Sequence, residues 1–141
     1  MNKEGAIVFI EDNGGDKLLL TMVFEELNFK NEILFFSDGQ EALQYLTSKA
    51  NEPFIVFSDI NMPKLNGMEL RNQIHENEDI RLKTIPYLFF TSSSQQKSVI
   101  DAYSKSIQGF FVKPSNSDDL KSLMKIIVDY WKNCESPNYV K

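Results

Sequence analysis

The chain has 141 residues, of which 42% are hydrophobic and 25% charged, and its formal net charge at pH 7 is −5. This length suits one globular domain and leaves no room for a second. The negative charge disfavours direct binding to nucleic acid, because a phosphate backbone would be repelled. No apolar run is long enough to cross a membrane. A single cysteine, Cys134, cannot form an internal disulfide, so we expect a cytoplasmic protein.

Short apolar runs alternate with helical patterns along the chain. Strands are predicted at 6–10, 33–36, 54–58, 87–90 and 109–112. Helical spacing predicts five helices. The first spans about 16–28, and the second follows an N-cap at Ser37 or Asp38. The other three span about 68–77, 97–106, and Ser117 through Trp131. The fourth helix has only a thin apolar stripe, formed by Val99, Ile100 and Tyr103, so it should be weakly held.

The repeated order of strand and helix predicts an α/β fold. Right-handed crossovers would give a doubly wound parallel sheet of five strands with helices on both faces. The simplest arrangement is the flavodoxin-like strand order 2-1-3-4-5. We expect residues 1–134 to form this domain and residues 135–141 a C-terminal tail.

The carboxyl ends of parallel strands share one edge of the sheet, where such folds bind ligands. Asp59 ends the buried third strand in the segment FIVFSDINMPKLNG, and Glu11 and Asp12 follow the first strand. Thr91 and Lys113 follow the fourth and fifth. Crowded carboxylates repel one another unless a cation joins them, and their oxygen atoms suit Mg²⁺. The sequence therefore predicts a magnesium site at this edge.

The same residues suit phosphoryl transfer. The hydroxyl of Thr91 and the ammonium of Lys113 would lie opposite the carboxylates, where a transferring phosphoryl group needs hydrogen bonds and positive charge. Asp59 could then act as the nucleophile and form an aspartyl phosphate.

Four motifs together resemble the receiver domain of two-component response regulators, in the chemotaxis-regulator type without an output domain. They are the Glu11-Asp12 pair, SDINMPKLNG around Asp59, IPYLFFTSSS with Thr91, and GFFVKP with Lys113. The resemblance spans about residues 6–131. It is specific because four motifs occur in the right order at the right strand ends.

The resemblance implies a role for each of these residues. Asp59 would accept a phosphoryl group from a phosphohistidine on a sensor histidine kinase. Thr91 would move to hydrogen-bond the phosphoryl oxygens, and Lys113 would pair with them. The chain would catalyse only its own phosphorylation and dephosphorylation, so it would not be an enzyme in the usual sense. The implied Mg²⁺ ligands are Glu11, Asp12, Asp59 and the main-chain carbonyl of Asn61.

Two further features follow from the comparison with the family. The Lys113-Pro114 bond is expected to be cis, as is common in relatives. Phe110 stands where many receivers carry a tyrosine that turns inward when the threonine moves. A phenylalanine ring can still turn inward as part of the switch, but it has no hydroxyl to bond the following loop.

Phosphorylation would shift the conformation of helix 4, strand 5 and helix 5, whose surface would dock to a downstream protein. One alternative is a phosphorelay intermediate, which passes its phosphoryl group on to a histidine phosphotransfer protein. Others are a flavodoxin-like small-molecule-binding module and an unphosphorylated scaffold. Tyr130 and Trp131 could be core residues or interface anchors, and homodimerisation through this face is left open.

Overall fold

The computed structural model describes residues 2–60, 64–79, 82, 84–92, 96–104 and 107–135. Ten helices and strands alternate in this part of the chain. They are β1 Ile7–Ile10, α1 Gly14–Leu27, β2 Ile33–Phe36, α2 Gly39–Thr47, β3 Ile55–Ser58, α3 Gly67–Glu76, β4 Tyr87–Thr91, α4 Gln96–Tyr103, β5 Gly109–Val112 and α5 Ser117–Asn133.

The five strands form one parallel sheet in the order β2-β1-β3-β4-β5, which confirms the predicted topology. Successive strand side chains point to opposite faces. Val56 therefore packs in an apolar layer with residues of α2 and α3, and its neighbour Phe57 packs in a second layer with α1 and α5. Both faces of the sheet are covered, so only its edges and the strand ends remain for polar chemistry.

Helix α1 begins at Gly14, two residues before the predicted start near Asp16. The side chain of Asn13 caps it by accepting a hydrogen bond from the Asp16 backbone N–H at 3.0 Å. Such a cap satisfies one of the free N–H groups in the first turn. The cap therefore holds the first turn of α1 directly after β1, at the carboxyl edge of the sheet.

The loop after β3 closes tightly onto α3. The backbone N–H of Gly67 donates to the carbonyl of Ile60 at 2.8 Å. A Cβ atom at position 67 would lie only 2.1 Å from the carbonyl oxygen of Asp59. Only glycine permits this approach without displacing the backbone. Gly67 thus fixes where the chain leaves β3, and with it the position of Asp59.

On α4, Ile100 and Tyr103 of the predicted apolar stripe are exposed. On α5, Trp131 packs against the second apolar layer while Tyr130 is exposed. Their rings meet edge to face at 5.2 Å between centroids. Next to them, Phe111 of β5 helps to line a groove of about 400 Å³ between β5 and α5.

In the described part of the chain, no helix combines the length and apolar character needed to span a membrane. Helix α5 ends at Asn133, and Cys134 is a free, half-buried cysteine at its C-cap. Of the predicted tail, only residue 135 belongs to the described ranges, so the boundary at residue 134 stays a prediction.

Candidate functional site

Backbone hydrogen bonds join the ends of neighbouring strands at the carboxyl edge. The N–H of Asp59 donates to the carbonyl of Ile10 at 3.0 Å, which ties the end of β3 to that of β1. The N–H of Lys113 donates to the carbonyl of Thr91 at 2.7 Å, which ties the end of β5 to that of β4. The sheet therefore places the residues that follow these four strands along one edge, as the parallel topology requires.

The ammonium of Lys113 lies at the centre of the site. Its Nζ atom donates to Oε2 of Glu11, to Oδ2 of Asp16 at 3.0 Å and to Oδ2 of Asp59 at 3.1 Å. The Lys113 side chain is 12% exposed, and those of Glu11, Asp16 and Asp59 are 4%, 39% and 15% exposed. One cation thus faces three carboxylates, and the cluster carries an excess of negative charge.

This environment shifts the protonation of the two most enclosed groups. Burial raises the pKa of Glu11, and the hydrogen bonds from Lys113 and from the Asn13 N–H offset this only in part. Burial alone would lower the pKa of Lys113. Hydrogen bonds to Glu11 and Asp16, together with the charge of Asp59, nevertheless raise it well above its usual range. Lys113 is therefore a permanent cation at neutral pH.

Asp59 is held by both of its carboxylate oxygens. Oδ1 accepts a hydrogen bond from the backbone N–H of Ile60 at 2.7 Å, and Oδ2 accepts from Lys113. The hydroxyl of Ser58 donates to the Asp59 carbonyl at 2.8 Å. The carboxylate is oriented by fixed donors while part of it still reaches solvent. This arrangement suits a nucleophile that must meet a reagent from outside.

The structure does not place every predicted site residue in the cluster. Asp12 is exposed, and its side chain makes no hydrogen bond or ion pair with any described residue. Asn61 lies outside the described residues. Asp16, by contrast, was not predicted as a site residue. Its signal was its position in the first turn after β1, where an acidic residue is usually explained by the helix dipole alone.

The carboxylate oxygens of the cluster are suitable ligands for a divalent cation. Carboxylate oxygens are the ligands that Mg²⁺ prefers, and the excess negative charge of Glu11, Asp16 and Asp59 around a single ammonium favours a further cation. Among the described residues, no three acidic, histidine or cysteine side chains surround a common metal position. We attribute this to Lys113, whose ammonium is bonded to the carboxylate oxygens that a metal would use. The chemistry of the donors fits Mg²⁺, provided that Lys113 gives up part of its contacts.

Thr91 and Phe110 lie on adjacent strands beside the site. Thr91 is buried at the end of β4. The half-buried Phe110 ring packs on the apolar layer that includes Phe89, with ring centroids 6.2 Å apart. The prediction of a cis peptide bond before Pro114 was wrong, because the described residues contain no cis peptide bond. The trans form is the intrinsically preferred isomer, and the sequence offers no local signal that would override it.

The sequence was also compared with known proteins. The sequence model of the family described as the response regulator receiver domain matches residues 7–125. The chain is 33% identical over 129 residues to the probable methanogenesis regulatory protein FilR2 of Methanothrix harundinacea, covering 89% of this chain and 82% of that protein. It is 27% identical over 135 residues to the response regulator Rcp1 of a Synechocystis species, covering 92% and 90% of the two chains.

Solved structures show the same relationship. The crystal structure of the Mn(2+)-bound form of Rcp1 matches with a TM-score of 0.79 and 27% identity, covering 94% of this chain and 99% of that one. The crystal structure of the phosphorylated cyanobacterial phytochrome response regulator RcpA matches with a TM-score of 0.82 and 25% identity, covering 94% and 96%.

Proposed function

We propose that this chain, which belongs to the response regulator receiver family, accepts a phosphoryl group on Asp59. The proposed reaction depends on Mg²⁺, and the phosphorylated protein passes the signal to a protein partner. The observation that carries the proposal is the ammonium of Lys113, which lies 3.1 Å from Oδ2 of Asp59 and also bonds Glu11. A carboxylate nucleophile beside a permanent cation is what an anionic phosphoryl donor requires.

In the proposed reaction, a carboxylate oxygen of Asp59 attacks the phosphorus atom of a phosphohistidine. An O–P bond forms at Asp59, the P–N bond to the histidine breaks, and the histidine nitrogen leaves with the electron pair of that bond. Lys113 holds the phosphoryl oxygens by charge-assisted hydrogen bonds, and the Ile60 N–H keeps the carboxylate oriented. The donor would be a sensor histidine kinase or a histidine phosphotransfer protein.

The proposed metal ligands are Glu11, Asp12, Asp59 and the main-chain carbonyl of Asn61. A bound Mg²⁺ would neutralise the charge that accumulates between the Asp59 carboxylate and the incoming phosphoryl group. Two structural relatives support metal binding and phosphorylation at such a site, since Rcp1 was solved in a Mn(2+)-bound form and RcpA in a phosphorylated form. Thr91 is proposed to close on the phosphoryl oxygens with its hydroxyl, and Phe110 to turn inward as it does so.

The output surface is proposed to be formed by α4, β5 and α5. Of the seven large hydrophobic side chains that are exposed among the described residues, five lie on these three elements. Apolar residues exposed together mark a surface for a protein partner. The bond between the Lys113 N–H and the Thr91 carbonyl joins this surface to the site. The five residues are Ile100, Tyr103, Val112, Ile126 and Tyr130.

The test is to incubate the protein with acetyl phosphate and Mg²⁺ and to measure its intact mass. We expect a gain of one phosphoryl group, which is lost in Asp59→Asn and when EDTA removes the metal. Asp129→Asn is the matched control, because Asp129 is an aspartate on the surface of α5 whose only ion pair with a described residue is with Lys125. A phosphoryl group still gained by Asp59→Asn would show that another residue is the acceptor.

A further inference from the structure

We propose that Asp16 is a positioning residue that competes with the phosphoryl group for the ammonium of Lys113. This inference rests on the proposed function, because it concerns the same site after Asp59 has been phosphorylated. Asp16 lies in the first turn of α1, and its Oδ2 accepts a hydrogen bond from Lys113 Nζ at 3.0 Å.

The number of hydrogen-bond donors limits what Lys113 can bind. An ammonium group has three N–H donors, and in this structure they face Glu11, Asp16 and Asp59. Lys113 therefore has no donor left for a phosphoryl oxygen. It can bind the phosphoryl group only if it gives up one of its present partners.

The three partners differ in what their release would cost. Glu11 is only 4% exposed, so water cannot replace the ammonium there, and its release would leave the proposed Mg²⁺ as the only cation beside this buried carboxylate. Asp59 carries the phosphoryl group and stays next to Lys113. Asp16 is 39% exposed, and water can replace the lost hydrogen bond. Asp16 is thus the partner that the ammonium leaves when the phosphoryl group arrives.

The position of Asp16 suits this role. Its backbone N–H is bound by the Asn13 cap, so the turn that carries the carboxylate is held beside the site. The unphosphorylated state keeps the Asp16–Lys113 ion pair and the phosphorylated state loses it. The ion pair therefore stabilises the unphosphorylated state selectively and weakens the binding of any phosphoryl group. A partly exposed pair of this kind should change the affinity about two- to five-fold.

The first experiment measures affinity for beryllofluoride, a phosphoryl mimic, by titration calorimetry in the presence of Mg²⁺. We expect Asp16→Asn to bind about two- to five-fold more tightly than the wild type. Asp16→Glu, which restores the carboxylate, should return towards the wild-type affinity. Glu25→Gln is the matched control, because it removes one negative charge from the exposed face of the same helix. An unchanged affinity in Asp16→Asn, or an equal rise in Glu25→Gln, would overturn the inference.

A double-mutant cycle tests whether Asp16 acts through Lys113. The free energy of unfolding is measured without metal for Asp16→Asn, Lys113→Gln and the double variant. We expect Asp16→Asn to destabilise the wild type but not the Lys113→Gln protein. If the changes in the free energy of unfolding were additive, Asp16 would act independently of Lys113 and the inference would be wrong. A wild-type protein that gains no phosphoryl group from acetyl phosphate would overturn the proposed function instead.

Discussion

The Nζ atom of Lys113 lies 3.1 Å from Oδ2 of Asp59, although 54 positions separate the two residues in the sequence. The parallel sheet brings them together, because both residues directly follow strands that end at the same edge. The ammonium of Lys113 partly neutralises the carboxylates that the fold brings together at this edge. Changes in this cluster should therefore alter stability as well as chemistry.

Lys113→Gln should destabilise the protein in EDTA, since Glu11 and Asp59 lose their shared cation. We expect a loss of about 1–3 kcal/mol, somewhat below the cost of breaking a fully buried ion pair. Chemical denaturation at pH 7 measures this loss. Millimolar Mg²⁺ should recover part of it if the ion binds the same carboxylates. Lys125→Gln, which breaks an exposed pair with Asp129, is the control and should stay within about 0.5 kcal/mol of the wild type.

Glu11→Gln should change how stability depends on pH. Because burial raises the pKa of Glu11 in the folded state, the folded protein binds a proton more readily than the unfolded chain. Stability from this group is therefore lost as pH rises from the ordinary value of 4.5 through the raised pKa. The variant lacks this loss. Its midpoint temperature relative to the wild type should therefore increase from pH 4.5 to neutral pH in EDTA. A pH-independent difference would contradict the assignment.

Gly67→Ala should displace the backbone at the phosphoacceptor. The added Cβ would meet the Asp59 carbonyl oxygen at 2.1 Å, so the loop after β3 has to shift. We expect a loss of about 1–3 kcal/mol in stability and slower phosphorylation of Asp59 by acetyl phosphate. Gly14→Ala is a matched control, since nothing lies within 4 Å of a Cβ there, and it should not destabilise the protein. Equal effects of the two substitutions would argue against a close approach at Gly67.

Thr91→Ala should separate phosphorylation from switching. Asp59 keeps its Lys113 and Ile60 contacts, so it should still accept phosphate. Without the hydroxyl, no hydrogen bond from residue 91 to a phosphoryl oxygen stabilises the closed conformation of β4. Hydrogen exchange of the β5 amides, measured with and without acetyl phosphate, should then show most of the wild-type change lost. Thr47→Ala, whose hydroxyl bonds the Leu43 carbonyl within α2, is the control. A full change in Thr91→Ala would remove this threonine from the switch.

Most of the fold could be predicted because its signals are local. Each buried strand is a short apolar run, and each helix has an apolar stripe or a cap. Local signals did not fix where one helix starts or which apolar side chains of another helix are covered. Asn13 starts α1 two residues early, and Ile100 and Tyr103 follow helical spacing but are exposed on α4.

The site was predictable as far as strand ends define it. Glu11, Asp59 and Lys113 meet because they follow strands whose order the sequence already indicates. The contact between Asp16 and Lys113 depends on how the first turn of α1 is oriented, which no sequence pattern records. The same limit applies to Asp12, which is exposed and is not among the ion-pair partners of Lys113. The functional roles of these residues, and the cytoplasmic location, stay predictions.

Trp131 is the only tryptophan of the chain, and it packs beside Phe111 in the groove between β5 and α5. Its indole is therefore a natural fluorophore inside the surface on which the proposed output depends. A change in emission on phosphorylation would follow the rearrangement in real time and in unlabelled protein, and quenching by an added partner would report docking at the same place.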